Sequence, residues 1–390
     1  MAVSSIRSHS ESTPRVAEFF AGIGLARIGL EAAGFRVPWS NDIEKFKRDI
    51  YAANFDALPF PGEHEFKLAD ISTLGGSDVP DIELAWASFP CTDLSLAGAR
   101  AGLAGTSSST FYQFIRVLDE MGERAPRVVA LENVHGLATS HGGEDIAAAI
   151  RALNELGYSV DVLSIDARRF VPQSRPRLFL IGAKNPPAFN ETLQSDLRPD
   201  FLQSIFADSA LRTHRGKLPA LPEPLVGGLA QEVEAMSPDD ARWWDEERRH
   251  RFVSSLSPLQ TSRFERLRDA SSVSYRTAYR RTRGGTAVWE IRPDDISGCL
   301  RTARGGSSKQ AIVELGKGSV RVRWMTPREY ARLMGAGDFK MDAHSDSQYL
   351  FGFGDAVCAP AVAWVGRHYL MPLVRGEMRV TSPALAVVNG

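Results

Sequence analysis

Cysteine is scarce in this chain of 390 residues: there are three, Cys91, Cys299 and Cys358, and no Cys-x-x-Cys pair. That scarcity excludes a zinc ribbon and a disulfide framework, fits a reducing cytoplasm, and leaves open a single catalytic thiol. Long apolar runs are missing as well. No stretch reaches the roughly 18 to 20 uninterrupted apolar residues of a membrane-spanning helix, so no membrane partner is expected. The first fifteen residues are Ser-rich, broken by charge and without an apolar core, which is not the pattern of a secretory leader. Nor is there an excess of charge of one sign: 46 Lys and Arg face 47 Asp and Glu, a formal net charge of −1. Net charge therefore argues for no nucleic-acid partner, and only local clustering can. What is present is an ordinary globular mix, 43% hydrophobic and 24% charged. At about 150 residues per domain the length suits two or three domains.

Between Arg15 and Gly182 short apolar runs alternate with helical patterns. Arg15–Phe20 ends in Ala-Gly-Ile-Gly; a helical pattern over Leu25–Ala33 stops at Gly34. A second run, Phe35–Ser40, leads into a helix over Ile43–Asn54, and further runs lie at Ile82–Ala87, Val128–Leu131 and Leu178–Gly182. This alternation predicts βαβ units and a doubly wound, mostly parallel α/β sheet. Beyond Gly182 the pattern breaks on six prolines between Pro186 and Pro224, and one charged helix is expected around Arg242–His250. Arg263–Arg304 then carries ten arginines against five acids, with Tyr275, Tyr279, Trp289 and a Gly-Gly pair, a second Gly-Gly pair following directly, and reads as a basic, irregular insert. Regularity returns at Trp324, where Thr326-Pro-Arg-Glu is a helix start.

Several groups carry chemistry. Glu18-Phe-Phe-Ala-Gly-Ile-Gly-Leu lies at a strand-to-helix turn, where Gly22 and Gly24 let a ligand approach the backbone. Asp42 ends the second strand, a position from which an acid accepts hydrogen bonds from ribose hydroxyls, and Asp70 ends a third element within reach of an adenine amine. Leu25 and Arg27 interrupt the triple-glycine phosphate pattern, which leans toward a nucleoside cofactor without a pyrophosphate. A plain tight turn explains the glycines equally well. Pro90-Cys91 directly follows a strand, at the edge where open α/β sheets bind ligands, so Cys91 is the candidate nucleophile. Cys299 and Cys358 read as buried, inert thiols. Leu131-Glu132-Asn133-Val134 follows the next strand; a glutamate there has a raised pKa and can hold or deliver a proton, the alternative being a helix N-cap pair. Gln173-Ser-Arg175-Pro-Arg177 precedes the strand at Leu178, with two arginines pointing the same way and able to reach a carbonyl or phosphate. No metal site is expected.

Taken in order, these blocks resemble the DNA (cytosine-5)-methyltransferase family. The resemblance spans Arg15–Gly182 and about Cys299–Leu370, and rests on Phe20-Ala-Gly-Ile-Gly, Pro90-Cys91, Glu132-Asn133-Val134, Gln173-Ser-Arg175-Pro-Arg177, Arg323–Leu333 and Gly354–Val357. It implies a fold of the S-adenosylmethionine-dependent methyltransferase type, with a smaller irregular target-recognition domain. By it, the Cys91 thiolate adds to carbon 6 of a flipped-out cytosine, Glu132 bonds N3 and the exocyclic amine, Arg175 contacts the O2 carbonyl and Arg177 fixes the loop. Phe19, Gly22, Ile23, Gly24, Asp42, Ile43, Asp70, Ile71, Pro90, Asp355 and Ala356 fall at cofactor positions, for S-adenosylmethionine. Gln173, Arg276, Arg280, Arg281, Arg283, Arg301 and Arg304 are assigned to double-stranded DNA. A cytoplasmic monomer of a restriction-modification system is implied, with a cognate restriction endonuclease as possible partner. An RNA cytosine-5 methyltransferase and a catalytically silent DNA-binding module remain alternatives.

The expected layout is a tail over 1–14, a catalytic domain over 15–184 and 320–375, a target-recognition domain over 185–319, and a second tail over 376–390. Four positions depart from the family pattern: Thr92 replaces Gln, Leu94 replaces Phe, Leu25 replaces the third glycine, and Asp355 replaces Asn. The added carboxylate at Asp355 is expected to repel Glu132 or alter how the methionine end of the cofactor is held.

Overall fold

The computed structural model describes residues 13–56, 64–90, 110–187, 195–302 and 309–378. Seven strands make the larger sheet: β1 (Arg15–Phe19), β2 (Arg36–Asp42), β3 (Glu65–Leu68), β4 (Leu84–Ala87), β5 (Val128–Val134), β6 (Ser159–Asp166) and β7 (Pro176–Ala183). Their order is β3-β2-β1-β4-β5-β7-β6, with β1 to β5 parallel and β7 inserted antiparallel between β5 and β6. The doubly wound, mostly parallel sheet is the one expected. From β1 the chain passes outward to β2 on one side and returns to β4 on the other. A crevice therefore opens at the carboxyl ends of β1 and β4, the place where such sheets bind ligands.

Strand β6 has no apolar run to betray it. Ser159, Asp161, Ser164 and Asp166 interrupt the sequence, yet Asp161 is fully buried and pairs with Arg198. Helices α1 (Leu25–Ala32), α2 (Lys45–Phe55), α3 (Thr110–Glu120), α4 (Gly136–Thr139) and α5 (Glu144–Glu155) cover the sheet. Strand β5 runs to Val134, so Glu132 and Asn133 lie within the strand and are not a helix cap.

The middle of the chain adds α6 (Gln203–Ala207), α7 (Leu229–Glu232), α8 (Glu246–Ser254) and α9 (Pro258–Arg268). Helix α8 is the charged helix expected around Arg242–His250, starting a few residues later, and α9 is a second helix beyond it that was not expected. The insert that read as irregular is ordered: β8 (Ser274–Arg283), β9 (Thr286–Ile291), β10 (Ala311–Gly316) and β11 (Ser319–Trp324) form an antiparallel sheet in the order β11-β10-β8-β9. Its arginines hid the strand period of β8, while Thr277 and Ala278 anchor that strand in the interior. Gly284 and Gly285, at φ 54° and 80°, make the two-residue turn between Arg283 and Thr286, so this Gly-Gly pair serves a hairpin. Trp244, Trp289, Trp324 and Phe252 pack behind the sheet with ring centroids 5.1 to 5.9 Å apart.

Two boundaries shift. Strand β11 belongs to the smaller sheet, so a division at 319/320 cuts the end of the insert, and the chain returns to the body only after Trp324. Residues 195–216 pack on the larger sheet instead: Ser164 donates to the Leu197 carbonyl at 2.8 Å and Arg198 pairs with Asp161. The return is made by α10 (Pro327–Leu333), α11 (Asp346–Asp355), α12 (Ala359–Val365) and α13 (Met371–Arg375). Helix α10 starts as read, with Thr326 and Glu329 in a reciprocal capping box. Helix α12 lies so close to α1 that a Cβ on Gly29 would come within 2.6 Å of Val362 and of the Ala359 carbonyl. The stretch Asp346–Arg375, interrupted by charges, is by length and composition apolar enough to cross a membrane, but 72% of its most apolar window is buried inside this fold, as in a core helix.

Candidate active site

The turn after β1 builds one half of the site. Gly22 and Gly24 adopt φ 58° and 91°, and a Cβ at Gly22 would meet nothing within 4 Å, so this turn opens onto free space. Asp42, at the end of β2, accepts the Gly22 amide at 2.8 Å and the Glu44 amide at 2.9 Å, which fixes its carboxylate beside the glycine turn. Ile43 follows it 61% exposed, an apolar surface without cover. Asp70, after β3, caps the backbone of Ser72 at 2.8 Å, and Ile71 next to it is buried. Ile23 is buried against Gly352, and Leu25, at the interrupted third glycine, is in the core. A carboxylate, an exposed aliphatic face and an open glycine turn at a switch point suit a nucleoside cofactor.

One residue of this half is corrected. Phe19 is fully buried between Trp39 and Phe114, at ring distances of 4.9 and 5.0 Å, and cannot face a ligand. Its neighbour Phe20, half-buried and at φ 55°, is the aromatic that the strained strand end turns outward. Beneath the turn, Glu18 is enclosed; it accepts from the Arg27 amide at 3.2 Å, Ser40 Oγ at 3.2 Å and Tyr51 Oη at 3.1 Å. Burial pushes its carboxyl up to about 7, against the pull of Arg27 and these donors.

The second half sits at the ends of β5 and β7. Glu132 opposes Phe179 in the ladder and Val134 opposes Arg177, so Glu132 and Arg177 are diagonal neighbours on one face. Their side chains meet, Arg177 Nε to Glu132 Oε1 at 3.0 Å. Burial raises the Glu132 pKa, while Arg177 and Arg175 oppose the rise. Asn133, on the other face, donates to the Phe89 carbonyl at 3.2 Å and ties the Phe89–Pro90 loop to β5. Pro90 is exposed at the end of that loop; Cys91, which follows it, lies outside the described residues.

The two arginines have different surroundings. Arg175 is 2% exposed and donates to the carbonyls of Leu300 at 2.6 Å, Gly354 at 3.3 Å and Ala356 at 2.5 Å. Its guanidinium holds the returning chain to β7 and is not presented to a ligand. Arg177, more exposed than Arg175, is the cation paired with Glu132. Cys299, read as inert, also lies here: its Sγ is 3.5 Å from Arg175 Nη1 and 4.0 Å from Arg177 Nη2. Burial works against ionisation of this thiol, but Arg175, Arg177 and Arg301 outweigh it and lower its pKa. Nothing in the local sequence around Cys299 signals this placement, because a strand more than a hundred residues earlier creates it. Cys358 matches its inert reading, buried and pushed up to about 11.

The residues assigned to DNA separate. Gln173 is fully buried, donating to the Leu333 carbonyl at 2.7 Å and accepting from the Leu300 amide at 3.1 Å, so it is a brace between segments and does not face DNA. Arg276 is half-buried against the Tyr275 carbonyl at 2.6 Å and Asp295 at 3.9 Å. Arg280 is half-buried on β8, Arg281 is exposed beside Glu290 at 3.2 Å, and Arg301 is exposed. Arg304 and the side chain of Arg283 lie outside the described residues. Asp355 binds Lys47, Nζ to Oδ2 at 2.7 Å, and its charge also acts on Glu132 in the expected sense, adding to the rise that burial imposes on that carboxyl, while Ala356 is bound through its carbonyl. Among the described residues no three His, Cys, Asp or Glu side chains group to hold a metal.

Comparison with known proteins agrees with this architecture. The sequence model of the C-5 cytosine-specific DNA methylase family matches residues 14–370, and the chain belongs to that family. It is similar to the Type II methyltransferase M.NgoBI of Neisseria gonorrhoeae, 32% identical over 42% of this chain and 49% of that protein. It is 34% identical to M.BanI of Aneurinibacillus aneurinilyticus over 70% of this chain and 58% of the relative, and 25% identical to M.HpaII of Haemophilus parainfluenzae over 93% and 92%. The chain spans about half the length of several curated relatives it matches. In fold it is similar to the S. pombe Dnmt2 methyltransferase, with a TM-score of 0.54, 18% identity, and 94% of this chain and 99% of that one covered.

Proposed function

We propose that this protein transfers a methyl group to carbon 5 of a cytosine flipped out of double-stranded DNA. The single observation that supports this reading most is the Glu132–Arg177 pair, buried at the carboxyl edge of the sheet and tied by Asn133 to the loop that leads into Cys91. Carbon 5 of cytosine is a weak nucleophile. Addition of the Cys91 thiolate to carbon 6 makes the ring an enamine, and carbon 5 then accepts an alkyl group. S-adenosylmethionine supplies that methyl group, and Gly22, Asp42, Ile43, Asp70 and the outward ring of Phe20 are the residues to hold it.

Glu132, whose carboxyl burial shifts toward the protonated form, is the group to bond N3 of the ring and to receive the exocyclic amine on its other oxygen. Arg177, within reach of Glu132, bonds the O2 carbonyl and balances charge as the thiolate adds. Arg175 acts at a distance by holding the Gly354–Ala356 turn. After transfer a base removes the carbon 5 proton and the thiolate is expelled. None of this is possible in a stacked duplex, so the base leaves the helix at a cost of a few kcal/mol. Arg280, Arg281 and Arg301 on the insert supply the cationic face for the phosphates. Its likeness to relatives named Type II methyltransferases supports a place in a restriction-modification system.

Bisulfite sequencing of DNA from cells expressing the protein tests activity and target together. Protected cytosines in one short sequence are expected, and none with Cys91→Ser. A covalent complex of Cys91→Ser with 5-fluorocytosine DNA equal to that of wild type would overturn the nucleophile. Preferential methylation of transfer RNA would replace the substrate.

A further inference from the structure

Helix α2 carries a lysine that the reading above does not use. Lys47 lies four residues beyond Ile43, and its side chain is 11% exposed although it ends in a charge. Its ammonium is 2.7 Å from Asp355 Oδ2, and Thr302 Oγ1 donates to the other Asp355 oxygen at 3.2 Å. Its ammonium also lies 5.6 Å from the centre of the Phe351 ring. Asp42 and Glu44 act on the same ammonium, and together with Asp355 they keep Lys47 charged against burial.

We propose that Lys47 and Asp355 form a clasp that holds the start of α2 against the turn after α11, closing one wall of the cofactor site, so that Lys47 is a positioning residue for S-adenosylmethionine. This rests on the methyl-transfer reading for the identity of the cofactor.

The Asp355 turn is a fixed platform. A Cβ on Gly352 would come within 2.7 Å of Ile23 in the glycine turn, and one on Gly354 within 2.3 Å of the Arg301 carbonyl. Arg175 binds the carbonyls on both sides of Asp355. Against this platform α2 is anchored twice. Its far end is held by Asn54, which exchanges hydrogen bonds with Lys340 at 2.8 and 3.3 Å. Its near end, which follows Asp42 and Ile43 directly, is held by Lys47 on Asp355, with Phe46 against Phe351 at 5.6 Å. An exposed ion pair contributes little because water screens it, but here one partner and the stem of its side chain are withdrawn from water. The pair also accounts for the aspartate at this position: an asparagine has no charge with which to answer Lys47.

Isothermal titration of the full chain with S-adenosylmethionine and with S-adenosylhomocysteine tests the clasp. Lys47→Met and Asp355→Asn are each expected to weaken both compounds about tenfold, and the double variant no further than a single, as two halves of one contact require. Lys47→Arg restores affinity to within about threefold of wild type, and Lys45→Met, which breaks the exposed Lys45–Asp49 pair on the same helix, changes nothing measurable. In turnover assays the KM for the cofactor rises while kcat holds, and the thermal midpoint of the free protein stays within a few degrees. Losses that multiply to about a hundredfold in the double variant, or single variants with wild-type affinity, overturn the clasp. A loss for S-adenosylmethionine alone also overturns it, since it would mark direct contact with the sulfonium charge. A wild-type chain that binds neither compound overturns the methyl-transfer reading itself, and with it the clasp.

Discussion

Two arginines, Arg198 against the large sheet and Arg281 on the small one, carry their charge in opposite ways. In the large parallel sheet, charged side chains are enclosed and answered: Arg198 and Asp161 pair at 2.5 Å with neither exposed, and Asp161 also accepts from Tyr369 Oη at 2.7 Å and the Gly216 amide at 3.0 Å. In the small antiparallel sheet, Arg281 stands at the surface with its guanidinium 5.1 Å from the Tyr279 ring centre and 3.2 Å from Glu290. The Arg198–Asp161 pair is architecture and Arg281 is display, while Arg323 of β11, buried and paired with Glu329, shows that the small sheet also encloses charge where it meets the body. The contrast breaks most readily at Arg198. Arg198→Met leaves a buried carboxylate without its cation, and a loss of about 3–5 kcal/mol in urea unfolding is expected. Unchanged stability would mean that the pair carries no structural load.

Arg175 and Arg177 sharpen the comparison, because one is enclosed by backbone carbonyls and the other is paired with Glu132 near the surface. Arg177→Ala removes the cation facing Glu132 and is expected to lower the methyl-transfer rate by about a hundredfold to a thousandfold, with the urea midpoint little moved. Arg175→Met strips three backbone carbonyls of their donor and is expected to show first as lost stability. Equal rate and stability effects for both would return Arg175 to the pocket.

Much of this arrangement was legible in the sequence, and the misreadings have specific physical causes. The glycine turn, the Pro90–Cys91 loop, Glu132-Asn133 and the Thr326 cap are local patterns, each defined by residues within a few positions of one another, and the chain order of strands followed from them. What local pattern cannot show is which way a side chain turns at a strand end. Phe19 and Phe20 are adjacent and identical, and only the positive φ at Phe20 decides which one faces outward. The different surroundings of Arg175 and Arg177 have the same origin, since Arg175 precedes β7 and the ladder register alone puts Arg177 diagonal to Glu132. Strand β8 was hidden because arginines at its surface masked the period of two. Cys299 and the Lys47–Asp355 pair, 308 residues apart in sequence, exist as site features only after folding.

Glu18 extends the contrast to pH. Its carboxyl titrates near 7 in the folded chain against 4.5 ordinarily, so the native state binds more protons than the unfolded state between those values. Stability is therefore fully supported below about 4.5, falls as pH rises, and carries the whole cost of the buried charge above about 7. Glu18→Gln removes this dependence. It is expected to gain no more than about 3 kcal/mol on the wild type at pH 8, measured as urea midpoints across the range. A wild-type midpoint that rises through this window would show that Glu18 is ionised throughout and held so by Arg27.

The smallest effect on folding is expected where charge is displayed. Arg281→Ala exposes nothing and leaves Glu290 in water, so unfolding free energy should move by less than about 0.5 kcal/mol. Its consequence appears only with DNA. If Arg281 contacts a phosphate, its loss weakens binding to every duplex by a similar factor and reduces the slope of log affinity against log salt by about 1, because one fewer counterion is released. If it reads a base edge, binding to the cognate sequence falls while binding to other duplexes holds, and the salt slope stays nearly the same. Salt titrations on a cognate and a scrambled duplex separate the two. A variant that loses stability and leaves both titrations untouched would show that the small sheet uses its arginines as the large one does, to hold itself together.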